Sequence, residues 1–137
     1  MRRLCAVGFV VASLLAAVPA AAAPCTPTET ALCLNGGRFQ LEVTWKDFQN
    51  RAGVGHAVAL TADTGTFWFF SPANVEVVVK VLDGSALNGH HWFFAGALTN
   101  VEYTVTVTDT VTGASKSYRN PAGQFRSFAD TAALRVR

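Results

Sequence analysis

From Phe39 to Lys46 the chain alternates, with apolar Phe39, Leu41, Val43 and Trp45 set between polar Gln40, Glu42, Thr44 and Lys46. A period of two gives one buried and one wet face, which predicts a strand. The same pattern returns where Val101, Tyr103, Val105 and Val107 are separated by Glu102, Thr104, Thr106 and Thr108. Val75, Val77, Val79 and Val81 predict another strand, closed by Asp83-Gly84. Shorter strands are expected over His56–Thr61, Phe67–Phe70, His90–Ala95 and Ser115–Arg119. The turns between them are marked by Gly53 and Gly55, by Ala62–Gly65, by Asn88-Gly89 and by Asp109–Gly113. No segment keeps a helical period. Seven or so antiparallel strands predict an all-β chain folded as an immunoglobulin-like β-sandwich, with a small β-barrel as the alternative.

The 137 residues make one domain at most. With 50% hydrophobic and 15% charged residues, the composition excludes a disordered chain and a coiled coil. The beginning of the chain changes the picture further. Arg2 and Arg3 precede an apolar run from Leu4 to Val18, followed by small residues from Pro19 to Ala23. This is the pattern of a secretory signal peptide over residues 1–23, with the mature chain expected to start at Ala21 to Ala23. The apolar run is shorter than the ~20 residues that a membrane-spanning helix needs. Removing Arg2 and Arg3 takes Lys+Arg from 11 to 9, equal to Asp+Glu at 9, so the remaining chain is neutral. Neutrality argues against nucleic acid as a partner, and against a membrane once the leader is gone.

Cys5 leaves with the leader, and Cys25 and Cys33 remain as a pair suited to an oxidising compartment. Residues 24–37 are therefore expected to form a disulfide-stapled arm, with the sandwich over 38–137. A bridge closing so short a loop stabilises by roughly 2.5 kcal/mol in the chain-entropy account. The chain is expected to be secreted or periplasmic.

The aromatic runs are the strongest candidate chemistry. Trp68 and Phe70 must point away from Phe67 and Phe69, and Trp92 and Phe94 away from Phe93. A sandwich strand has one core face, so one set of large rings is left for solvent, a covering loop or a partner. On one reading Trp68, Phe70, His90 and Trp92 form a platform for a sugar ring or a partner protein. On the other, Phe125 and Phe128 fold back over that face, and Trp92 is the core anchor usual on a central immunoglobulin-like strand.

Other chemistry is weaker. His90 and His91 are neighbours and cannot share one ion on a regular strand, and with His56 they match no zinc spacing. Asp63, Asp83 and Asp109 lie in turns, where calcium or their own backbone are the competing partners. No nucleophile elbow or phosphate loop is present, and Glu76 and Glu102 fall on the wet side of the strand pattern. No cofactor is expected. Trp68-Phe69-Phe70 with Asn74-Val75-Glu76 is echoed by Trp92-Phe93-Phe94 with Asn100-Val101-Glu102, two residues longer in the second copy. The echo predicts equivalent places in the sandwich.

These residues carry a resemblance. Cys33-Leu34-Asn35, Arg38-Phe39, Trp45, Phe67–Phe70, Asn74-Val75-Glu76 and Lys80–Gly84 match a motif that continues through Asn88-Gly89-His90, Trp92 and Phe94. Leu98–Glu102, Thr112-Gly113 and Tyr118, Asn120, Pro121 and Gly123 complete it. The chain resembles an uncharacterised module recurrent in secreted bacterial proteins, which implies export but no particular activity. The expected function is a non-catalytic secreted module that recognises an extracellular glycan or protein through its aromatic face. The alternatives are a secreted inhibitor presenting the Cys25–Cys33 loop to an extracellular enzyme, or a purely structural module.

Overall fold

The structure is a computed structural model that describes residues 23–137. Most of the leader assigned to residues 1–23 therefore lies outside the described residues. Ten strands build two five-stranded antiparallel sheets that face each other without closing into a barrel. In sheet A, β2 (Phe39–Lys46) pairs along its whole length with β8 (Glu102–Asp109), and β8 pairs with β9 (Ser115–Asn120). The other side of β2 is shared by β1 (Leu32–Leu34) and β3 (Ala52–Val54). Sheet B is a meander of β4 (His56–Ala59), β5 (Thr64–Trp68), β6 (Val77–Asp83) and β7 (His90–Ala97). Its far edge is β10 (Ser127–Arg135), paired with β7. A single helical turn, α1 (Ser85–Asn88), stands between β6 and β7 and ends at Gly89, whose φ of 71° favours glycine.

The core lies between the sheets. Phe39, Leu41, Val43, Tyr103, Val105 and Val107 from sheet A meet Phe67, Val77, Val79, Val81, Phe93 and Ala95 from sheet B. The period-two patterns of β2 and β8 thus place their apolar residues inward, as do Val77, Val79 and Val81 of β6. Three strands exceed the expected seven. β1 and β3 have three residues each, too few to show a period. β10 is irregular because its register slips between Asp130 and Leu134, which breaks the alternation. The arm expected over 24–37 also joins the sandwich from Leu32 onward, since Leu32 and Leu34 are buried.

Hydrogen bonds close both flanks of the sandwich. Asp130 of β10 accepts from the Tyr118 hydroxyl at 2.7 Å and the Lys116 ammonium at 2.6 Å, both on β9. On the opposite flank, the Ala57 N–H of β4 donates to the Glu29 carbonyl, and the Asn35 amide reaches the Val81 carbonyl. Cys25 and Cys33 are bridged, with Cα atoms 5.7 Å apart. The staple therefore lies against the edge of sheet B and is held at Gly37, whose carbonyl accepts from the Cys25 N–H.

One core position is out of character. His91 is 4% exposed, packs edge-on against Phe39 at 4.8 Å, and has no hydrogen-bond partner at either ring nitrogen. Burial lowers its pKa and Arg38 lowers it further, outweighing the opposite pull of Asp83 and Asp109. A histidine held neutral in the fold but free to charge when unfolded leaves stability intact above the ordinary value of 6.5. That stability is lost as pH falls below it toward the folded value. His91→Leu removes two unpaired polar atoms and should raise stability by about 1 kcal/mol at pH 7.5. Urea midpoints of variant and wild type should move further apart at pH 5, whereas a gap that closes toward acid would refute this account of His91.

Candidate functional site

The two sheets present different outer faces. That of sheet A carries Gln40, Glu42, Thr44 and Lys46 beside Glu102, Thr104, Thr106 and Thr108, then Ser115, Ser117 and Arg119. These groups pair with one another: Glu102 binds Arg119 at 2.7 Å and Lys46 at 3.7 Å, and the Thr106 and Ser117 hydroxyls meet at 2.7 Å. Sheet B differs. One row across its outer face runs Val58, Thr66, Val78, Gly96 and Ser127. The next runs Thr64, Lys80, Phe94 and Ala129, and the third pairs Leu82 with Trp92. The centre of this face is aliphatic and aromatic around one ammonium group.

Gly96 shapes the middle of the face. A side chain there would meet nothing within 4 Å, so its absence leaves a trough between neighbouring strands. The trough holds about 490 Å³ and is bordered by Thr64, Val78, Lys80, Phe94 and Phe128. Lys80 crosses the Phe94 ring, with its Nζ 5.0 Å from the centroid, within cation–π range.

The four residues singled out in the sequence do not form one patch. Trp92 lies on this face, against the α1 end, and its indole occupies the space that a side chain at Gly84 would need. Its Nε1 donates to Asn88 Oδ1 at 2.8 Å, and His90 Nδ1 contacts the Asn88 carbonyl at 2.9 Å. His90 and Trp92 therefore act as one fixed corner. Trp68 is on the same face but about 20 Å along the strands, by the six residues of β6 that separate their levels. There His56 stacks on it at 3.8 Å, beside a small hollow of about 300 Å³ that also touches Glu29 and Ala57. Phe70 belongs to neither corner. It stands edge-on to Trp45 at 4.8 Å, at the end of the core between the sheets, and is 49% exposed.

Several expectations are corrected here. Trp92 is not the core anchor, because the inward positions of β7 are His91, Phe93 and Ala95. The C-terminal segment does not cover the face, because residues 127–135 extend the sheet as an edge strand. Phe128 packs on Tyr118 and Phe125 is exposed. Glu76 is not wet: it is 3% exposed and accepts the Phe69 N–H at 2.6 Å, and its burial pushes its pKa up. The echo does not place its halves alike. Asn74–Glu76 leads into the next strand of sheet B, while Asn100–Glu102 crosses into sheet A. The strand of the second copy also runs on past its Trp, since β7 continues to Ala97 whereas β5 ends at Trp68.

The turn aspartates are bound within the chain. Asp63 accepts from the Thr61 and Thr64 hydroxyls, Asp83 from the Ser85 N–H, and Asp109 from Arg38 and the Val111 N–H. Among the described residues no three His, Cys, Asp or Glu side chains gather as a metal set. Nor is any described helix long and apolar enough to cross a membrane. No protein-family model matches the chain, and no curated protein or solved structure matches it significantly.

Sequence reasoning missed Lys80, Val78, Leu82, Phe94 and Gly96 as face residues. The signal was present in β6, where Lys80 between Val79 and Val81 marks the outward side. Carried across the Asn88-Gly89 turn by strand pairing, that parity puts Trp92 and Phe94 outside and Phe93 inside.

Proposed function

We propose that the mature chain is an exported, non-catalytic recognition module that binds an extracellular protein or glycan through the outer face of sheet B. One observation carries this reading, the contrast between the polar outer face of sheet A and the apolar outer face of sheet B. A solvated sheet face is normally polar, and a contiguous uncovered apolar face marks an interaction surface. Export is supported by the leader pattern of residues 1–23, by the Cys25–Cys33 bridge and by the motif resemblance.

The test compares two charge insertions on opposite faces, Phe94→Asp and Thr106→Asp. Each mature variant is titrated against exported proteins and surface glycans of the producing cell. Binding lost only with Phe94→Asp is the expected result. Equal loss, or loss confined to Thr106→Asp, would overturn the assignment of the face.

A further inference from the structure

We infer that the sheet B face takes a protein partner that presents a carboxylate among aliphatic or aromatic side chains, and that Lys80 receives this carboxylate. The inference rests on the proposed reading of the face and names its occupant. The chain has three lysines. Lys46 pairs with Glu102 and Lys116 with Asp130, both away from this face. Lys80 has no ion pair among the described residues, although it sits in the centre of the apolar rows. Asp63, toward the rim, makes no ion pair with Lys80 and feels it only through space; its Oδ1 accepts from the Thr61 and Thr64 hydroxyls. The Phe94 ring holds the ammonium over the face.

A partner that covers this surface must desolvate Lys80, and an unpaired buried ammonium is strongly unfavourable. The occupant must therefore bring an anion. A second copy docked by the same face sets another Lys80 against rows whose Val58, Val78, Leu82, Trp92 and Phe94 carry no carboxylate, and its Asp63 lies only at the rim. An acidic sugar would bring an anion but also hydroxyls around each ring, which need convergent donors and acceptors. The face offers few. The Trp92 N–H and His90 Nδ1 are already bound to Asn88, and Thr64 to Asp63. Apolar side chains around one Asp or Glu match the trough at Gly96 and its walls.

The experiment selects a displayed random peptide library on the mature chain, immobilised through the sheet A face. Polygalacturonate is titrated in parallel as the acidic-glycan arm. Enriched peptides should carry Asp or Glu flanked by Leu, Phe or Trp. Lys80→Met, which keeps the aliphatic stem, should weaken them about tenfold or more, and Lys80→Glu should abolish them. Melting curves check that both variants stay folded. Enrichment of peptides without acidic residues, or equal binding to Lys80→Met, would overturn the carboxylate. Polygalacturonate binding without peptide enrichment would overturn the protein partner in favour of a glycan, and absence of both would overturn this occupant. Peptides that bind Phe94→Asp as well as the wild type would instead sink the face itself.

Discussion

Phe93→Ala will lower folding stability by about 3–5 kcal/mol, while Phe94→Ala, one residue along the same strand, will lower it by under about 1 kcal/mol. The residues are chemically identical, so the difference comes from the alternation of β7 alone. Phe93 is fully buried and stacks on Tyr118 at 4.4 Å, against the side chains that close the β9–β10 flank. Its removal leaves a cavity that backbone pairing on both sides prevents from collapsing. Phe94 loses its contact with Lys80 and part of one trough wall, both already open to water. Guanidinium or urea unfolding of the two variants measures the contrast. Comparable losses would mean that β7 is turned the other way, and the sheet B face described above would be wrong.

The second large effect belongs to Asp109. Its carboxylate is fully buried at the end of β8 and accepts from Arg38 Nε at 3.1 Å, Arg38 Nη2 at 2.9 Å and the Val111 N–H at 2.9 Å. Burial alone would raise its pKa, but Arg38 and Val111 outweigh burial and hold it low. Asp109→Ala strands the Arg38 guanidinium, without its carboxylate, beside the Phe39 ring. It also frees the turn that returns β8 to β9. The expected loss is about 3–5 kcal/mol, toward the lower end because Arg38 is 26% exposed and partly rehydrates. Glu102→Ala is the control. Its pairs with Lys46 and Arg119 lie on the open face of sheet A and should contribute under about 1 kcal/mol. An Asp109→Ala loss no larger than that of Glu102→Ala would contradict the role given to the buried pair.

Much of the architecture was legible in the sequence because one face of β2 and of β8 is apolar and the other polar. Where both faces carry large rings, the pattern gives two faces but not their order. Phe67 and Trp68, or Phe93 and Phe94, are equally hydrophobic, and only pairing with a strand of known parity separates them. The choice of Trp68, Phe70, His90 and Trp92 followed residue type. Placement follows geometry, which leaves Trp68 and Trp92 at opposite ends of one face and Phe70 at the end of the core. Buried Glu76 escaped notice because it precedes its strand, where alternation no longer describes which way a side chain turns. The short β1 and β3 and the bulged β10 were hidden for the same reason: pairing partners, rather than local pattern, hold them in the sheet.

The most direct test of the central claim is a thiol-protection measurement on two variants that each add one cysteine, Val78→Cys on sheet B and Thr106→Cys on sheet A. In the chain expressed from Ala23 onward Cys25 and Cys33 are bridged, so the introduced thiol is the reactive one. Labelling rates are compared with and without a concentrated fraction of exported proteins and surface glycans. Slower labelling at Val78→Cys and an unchanged rate at Thr106→Cys is the result predicted here. Protection at Thr106→Cys instead, or no protection at either site, would contradict recognition through the outer face of sheet B.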